Sequence, residues 1–163
     1  AGTIPEIRAR VRAMAERGVD VIKVVSSGGS TGGDPGRSTY GVEELRAAVD
    51  EAHKLGLTVV AHSRAAESIR RCAEAGVDVI AHVEFLGDGP MGSFGGGAPT
   101  SLPAFDPAVA EIVAASGSQL DVNPHSSGWD TIVALRAVAA ERPLRPEEAA
   151  VVEGLEQIGR AHV

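Results

Sequence analysis

The sequence predicts an α/β protein built around a parallel β-sheet. Amphipathic stretches with helical spacing alternate with short runs rich in valine and isoleucine, which is typical of βα units with right-handed crossovers. The pentapeptide GVDVI occurs at 18–22 and again at 76–80, each time after a predicted helix and at the start of a predicted strand. This repeat indicates one helix-to-strand unit used twice. The pattern fits two architectures, an open doubly wound sheet or an arc of a (β/α)8 barrel.

The elements follow in order along the chain. Residues 4–17 predict a helix, with Pro5 in the first turn and Gly18 at its end. The apolar run 19–27 lacks polar alternation and predicts a strand that is buried on both faces. Further helices are predicted over 42–56, 65–76 and 105–117, further strands over 57–63, 77–85 and 118–124, and two more helices within 129–162.

The composition is that of an ordinary globular domain. The chain has 163 residues, of which 44% are hydrophobic and 23% charged, so it is long enough to form one core. A net charge of −7 offers no basic surface for nucleic acid, and no apolar run approaches the ~20 residues of a membrane span. The single cysteine, Cys72, cannot form an internal disulfide, which fits a reducing compartment. We therefore expect a cytoplasmic protein that binds neither nucleic acid nor membranes.

Two long glycine-rich loops, 28–41 and 87–104, follow the carboxyl ends of the first and third predicted strands. Ligand sites form at this end of the sheet in both architectures. Arg37 and Tyr40 in the first loop, and His125 after the fourth strand, are therefore candidate substrate-binding residues. The second loop lacks the Lys-Ser/Thr ending of a phosphate-binding loop, and we interpret it as an active-site loop.

Three predicted strands each carry one polar residue near this end, namely Lys23, His62 and His82. The chain has 13 arginines and only two lysines, and a lysine buried in an apolar strand must be paired, neutralised or modified. A single strand histidine is more often a core residue than a ligand. Neighbouring strands lie about 4.8 Å apart, however, so side chains on three successive strands can converge on one ion. Imidazole nitrogens suit zinc and other first-row divalent metals.

These residues carry a resemblance to the amidohydrolase superfamily, in its imidazolonepropionase-like and Xaa-Pro or Xaa-Arg dipeptidase-like branch. The matching segments are GVDVIKVVSSGG, DPGRSTYGVEELRAAVDEAHKLGLTVVAHS, AAESIRRCAEAGVDVIAHVEFL and FDPAVAEIVAASG. The resemblance implies a partial TIM barrel, with family strands four to seven and their flanking helices. It also implies that Lys23 is carbamylated and bridges two metal ions, with His62 and His82 as ligands from the next two strands. A carbamate forms on a neutral amine, which arginine cannot supply.

Parts of the family's metal site have no counterpart in the sequence. No two histidines are two residues apart, so the His-x-His motif of the first family strand is absent, and the strand-eight aspartate that acts as general base has no match. The segment IAHVEF also stands where relatives often have IEHG. We therefore expect residues 1–163 to form a single domain that is a fragment of a longer barrel, with the general base outside this chain.

The resemblance implies a metal-dependent hydrolase of amide, peptide or cyclic amide bonds, in which a metal-activated hydroxide attacks the carbonyl. The cofactor would be one or two divalent metal ions, zinc before others, and the substrate a small or dipeptide-like molecule. Two alternatives stay open. Lys23 could form a Schiff base in an aldolase-type barrel. The chain could instead be a catalytically incomplete barrel fragment that self-associates into a homo-oligomer through its exposed edge.

Overall fold

A computed structural model describes residues 2–28, 36–86, 105–121 and 129–161 of the chain. The helices are α1 (Ile4–Ala15), α2 (Val42–Lys54), α3 (Ala66–Ala75), α4 (Pro107–Ser116), α5 (Trp129–Glu141) and α6 (Pro146–Ala161). The strands are β1 (Val21–Val25), β2 (Thr58–Ala65), β3 (Val79–Leu86) and β4 (Gln119–Asp121). The predicted order and type of these elements are confirmed, and their bounds differ from the prediction by a few residues.

The four strands form one parallel sheet in the order β1-β2-β3-β4. Each strand pairs with the next strand along the chain, and the order does not reverse as it does in a doubly wound sheet. Consecutive helices contact one another along the sheet, α1 with α2, α2 with α3 and α3 with α4. Of the two predicted architectures, the partial (β/α)8 barrel is confirmed. None of the described helices is long and apolar enough to cross a membrane.

Each copy of the GVDVI repeat follows the end of a helix and leads into a strand. Gly18 and Gly76 follow the ends of α1 and α3 with φ angles of 77° and 78°. This left-handed conformation is available to glycine without steric cost and ends a helix. In both copies the next residues lead directly into a strand, β1 or β3. The repeated unit predicted from the sequence is therefore present.

The core lies between the sheet and its helices and is aliphatic. Its largest fully buried apolar side chains come from α2, α3, β2 and β3 and from the turn before β3: Leu45, Ile69, Cys72, Val59, Ile80, Val83 and Val77. Tyr40 and Phe105 pack against this cluster and are only partly buried. An aromatic share of 3% leaves few large rings for a core of this kind.

The other face of the sheet is open at β1, within the part of the chain that the structure describes. On β1, Ile22 is buried with 3% exposure and belongs to the core, whereas Val21 and Val25 are 44% and 54% exposed. Lys23 lies between those two valines on the same side of the strand and is also exposed. The prediction that this strand is buried on both faces is therefore wrong. We call the surface that carries Lys23 the open face.

Candidate metal site

Two strand histidines lie against each other in the middle of β2 and β3, level with the carboxyl end of β1. The ring centroids of His62 and His82 are 4.5 Å apart, and the ring planes meet at 67°, an edge-to-face arrangement. Burial lowers the pKa of both rings below the usual histidine value, and the nearby charges of Lys23 and Arg64 lower both further. The rings are therefore neutral near pH 7, the form in which imidazole offers a lone pair to a metal.

His82 reaches this position through an irregular backbone. In the sheet register His62 pairs with Ala81 and Ser63 pairs with His82, so simple alternation would place the His82 side chain on the core side with Ile80. The φ angles of His82 and Val83 are instead 76° and 48°, and the register shifts just beyond this pair. This break in the alternation accounts for the contact between the two rings.

One ring nitrogen of His62 is held by the backbone. Its Nε2 lies 3.1 Å from the carbonyl oxygen of Gly28, and because a carbonyl only accepts hydrogen bonds, Nε2 is the protonated nitrogen. The Nδ1 atom then carries the lone pair. The backbone of the same residue is also fixed, since the Ser26 N–H donates to the His62 carbonyl at 2.9 Å. A ring N–H bonded to a backbone carbonyl is one of the common ways in which a metal-binding histidine is oriented, so His62 fits a ligand role.

Lys23 faces the same side of the sheet as the histidine pair. It is aligned with Val60 on β2, two residues before His62, and its charge acts on both imidazoles. Its side chain is exposed. Burial therefore does not force this lysine to be paired, neutralised or modified in the described structure, contrary to the prediction. What distinguishes Lys23 is its place on the same face of the sheet as the two rings.

The available donors are two imidazoles and one amine. Across residues 2–28, 36–86, 105–121 and 129–161, no group of three or more His, Cys, Asp or Glu side chains is placed to hold a metal ion. A metal at this site would thus need Lys23, or a group outside the described ranges, in addition to His62 and His82. The ligand roles of these three residues stay predictions.

The end of the first loop returns to the carboxyl end of β1. Ser38 forms an antiparallel bridge with Ser27, which brings the exposed Arg37 to this end of the sheet. Tyr40 is half-buried instead, and lines a cavity of about 260 Å³ together with Lys23 and other residues of α1, β1 and α2. The third predicted substrate residue, His125, and the predicted active-site loop 87–104 lie outside the described residues.

An ion pair that was not predicted from the sequence lies two positions beyond each histidine. The Arg64 Nε–H donates to Glu84 Oε2 at 2.7 Å, and Arg64 Nη2 lies 2.6 Å from the same oxygen. The two side chains are only 9% and 5% exposed. Each charged residue stands two positions after a strand histidine, a spacing that was visible in AHSR and AHVE.

Comparison with known proteins gives several amidohydrolase-like relatives. The chain matches no protein-family model. It is 34% identical to ochratoxinase of Aspergillus niger over 84 residues. Among solved structures, it is similar to an amidohydrolase with 27% identity and a TM-score of 0.60 over 99% of this chain. It is equally similar to a prolidase complexed with N-methylphosphonate-L-proline, with 28% identity and a TM-score of 0.60 over 98% of this chain. The structure of A. niger ochratoxinase shares the fold, with 24% identity and a TM-score of 0.58 over 99% of this chain.

The chain spans only part of each relative. It corresponds to 18% of the length of ochratoxinase in the sequence match, and to 33% and 34% of the amidohydrolase and prolidase chains. Its four parallel strands and their helices match about a third of each of those structures. The relatives of this chain are amidohydrolase-like proteins, and the chain carries a part of their parallel α/β barrel.

Proposed function

We propose that this chain supplies part of the metal site of a hydrolase that cleaves amide, peptide or cyclic amide bonds. The observation that carries the proposal is the pair of neutral imidazoles, His62 and His82, in contact on two neighbouring parallel strands, level with the carboxyl end of β1. Lys23 on the same face adds a third group. The names of the relatives, amidohydrolase, prolidase and ochratoxinase, support the class of bond that is hydrolysed.

Each residue has a distinct role in this proposal. His62 would bind through Nδ1, because its Nε2–H is engaged with the Gly28 carbonyl. Lys23 would act as a carbamate: its ammonium group first loses a proton, the resulting neutral amine adds to CO2 with formation of a nitrogen–carbon bond, and a second proton is released. The product exchanges a positive charge for a negative one and offers two oxygens to a metal. Zinc suits imidazole and carboxylate-type ligands, and one or two such ions would supply activation of water and polarisation of the scissile carbonyl.

The substrate end of the site would be served by the loop after β1. Arg37 is exposed there, and a guanidinium binds carboxylates through two parallel hydrogen bonds. This suits a dipeptide-like substrate with a free carboxylate. Tyr40 and His125 stay candidate substrate residues, and we assign no general base to this chain.

Titration with Co²⁺, followed by visible absorption, tests the metal site. We expect a saturable spectrum for the unaltered chain, and a loss of roughly tenfold or more in affinity for His62→Ala and for His82→Ala. The matched control is His53→Ala, since the His53 ring bonds Asp78 at the far end of the strands. Unchanged affinity in both site variants, or an equal loss in the control, would overturn the proposal.

A further inference from the structure

We propose that Arg64 and Glu84 form a positioning pair that holds the rings of His62 and His82 side by side. The inference rests on the proposed function of that histidine pair and assigns a role to two residues that are not among the proposed metal or substrate ligands. Its basis is where the ion pair lies in the sheet, how deeply it is buried, and what else it is bonded to.

The ion pair spans the irregular part of the β2–β3 ladder. The paired positions on either side are Ser63 with His82, and Ala65 with Leu86. Between them β2 has Arg64 alone, whereas β3 has the three residues 83–85. The extra residues of β3 therefore form a bulge directly opposite Arg64, and Glu84 stands at the centre of that bulge. Bulges of this kind re-aim side chains next to functional sites.

The bulge begins with a strained backbone. His82 and Val83 both have positive φ angles, and Val83 is β-branched, so neither residue adopts this conformation freely. Such a conformation persists only where the surrounding structure enforces it. The contact between Arg64 and Glu84 can contribute to this, because it ties the strand opposite the bulge to the residue that follows Val83.

Because Arg64 and Glu84 are buried, the two charges have to stay in contact. Two charges with 9% and 5% exposure are stable there only in close contact, since a buried charge without a partner is strongly unfavourable. Apolar side chains of similar volume often stabilise a fold equally well, so stability alone does not account for charges at this place. A guanidinium is planar and directional, and here two of its nitrogens contact the same oxygen, Glu84 Oε2.

Arg64 is also hydrogen-bonded to the carboxyl end of β1, the strand that carries Lys23. The Arg64 backbone N–H donates to Ser27 Oγ at 2.9 Å, at the carboxyl end of β1. The Ser26 N–H donates to the carbonyl of His62 at 2.9 Å. Arg64 is thus fixed on β1 and on β3 at once. Loss of the ion pair would free the bulge to relax and the ring of His82 to turn away from His62.

NMR of the metal-free chain tests this role through the nuclear Overhauser effect (NOE) between the ring protons of His62 and His82. The variant is the double substitution Arg64→Met with Glu84→Met, which keeps side-chain volume and removes both charges. We expect it to fold, with a urea midpoint close to that of the unaltered chain, and to lose at least two thirds of the ring-to-ring NOE. A folded double variant with the full NOE would overturn the proposal.

Two further variants complete the experiment. Arg64→Lys keeps the charge and length but loses the planar fork, and we expect it to lose at least half of the NOE; full intensity would overturn the proposal even if the double variant failed to fold. The matched control replaces Arg70 and Glu74, a partly exposed pair on α3, by methionine and should leave the NOE unchanged. No metal is present, so a chain that binds no Co²⁺ but shows these NOE losses refutes the proposed function and supports the positioning role.

Discussion

Replacement of Val83 by glycine should destabilise the fold distinctly less than replacement of Val59 by glycine. Both valines are fully buried, with 0% exposure, and both lie in strands of the same sheet. They differ in their backbone, since Val83 has a φ of 48° whereas Val59 is not among the residues with positive φ. A β-branched residue in the left-handed region is strained, and glycine in the same place is not.

Both substitutions lower the free energy of unfolding for the same two reasons, and only Val83→Gly also relieves backbone strain. Loss of a buried valine side chain costs about 1.5–3 kcal/mol, and the added chain freedom of glycine costs about 0.5–1 kcal/mol. At Val59 these terms add to roughly 2–4 kcal/mol. At Val83 the relief of left-handed strain returns about 1–2 kcal/mol, so the net cost there is smaller than at Val59 by that amount.

Urea unfolding followed by far-UV circular dichroism at pH 7 measures the difference. The free energy of unfolding of Val83→Gly should exceed that of Val59→Gly by about 1 kcal/mol or more. Equal losses at the two positions would refute strain at Val83. They would also remove the explanation of why the His82 ring lies beside His62 on the open face.

Three further predictions concern single side chains. Burial raises the pKa of the Asp78 carboxyl, but hydrogen bonds from His53 and from the Val59 N–H outweigh burial, so the folded-state pKa is lowered. The ionised carboxylate therefore stabilises the fold above its unfolded pKa of about 3.9, and this stabilisation is lost as the pH falls through the lower folded value. Urea midpoints measured from pH 6 to pH 2 should therefore fall more steeply below about pH 4 for the unaltered chain than for Asp78→Asn, and parallel curves would contradict this. Burial raises the pKa of the Cys72 thiol, so Cys72 should resist a thiol reagent in native buffer and react in urea; rapid native reaction would show that α3 does not pack as described. Borohydride with a carbonyl compound should leave no adduct on Lys23, whereas ¹³C-bicarbonate should give a carbamate signal that Lys23→Arg lacks; a trapped adduct would favour the Schiff-base alternative.

The order of the helices and strands could be predicted because it depends on local patterns. Gly18 and Gly76 end helices through their own backbone conformation, and the same five residues lead into a strand both times. The burial of β1 could not be predicted in this way. Val21 and Val25 are as apolar as Ile22, and an apolar run does not reveal whether a second layer covers the strand.

The candidate site could be predicted in part. Lys23, His62 and His82 were visible as single polar residues on successive strands, and the structure brings the two rings into contact. The direction of the His82 side chain and the ion pair of Arg64 with Glu84 were not predicted. Both depend on a bulge between β2 and β3, which arises from pairing between distant segments rather than from either segment alone.

The central claim is that His62, His82 and Lys23 hold a divalent metal in one site. Anomalous diffraction from crystals of the zinc-loaded protein, measured on both sides of the zinc absorption edge, tests it most directly. We predict an anomalous peak about 2.0–2.1 Å from a ring nitrogen of His62 and from a ring nitrogen of His82, with the Lys23 side chain directed at the same ion. Zinc bound elsewhere, with both rings uncoordinated, would contradict the claim.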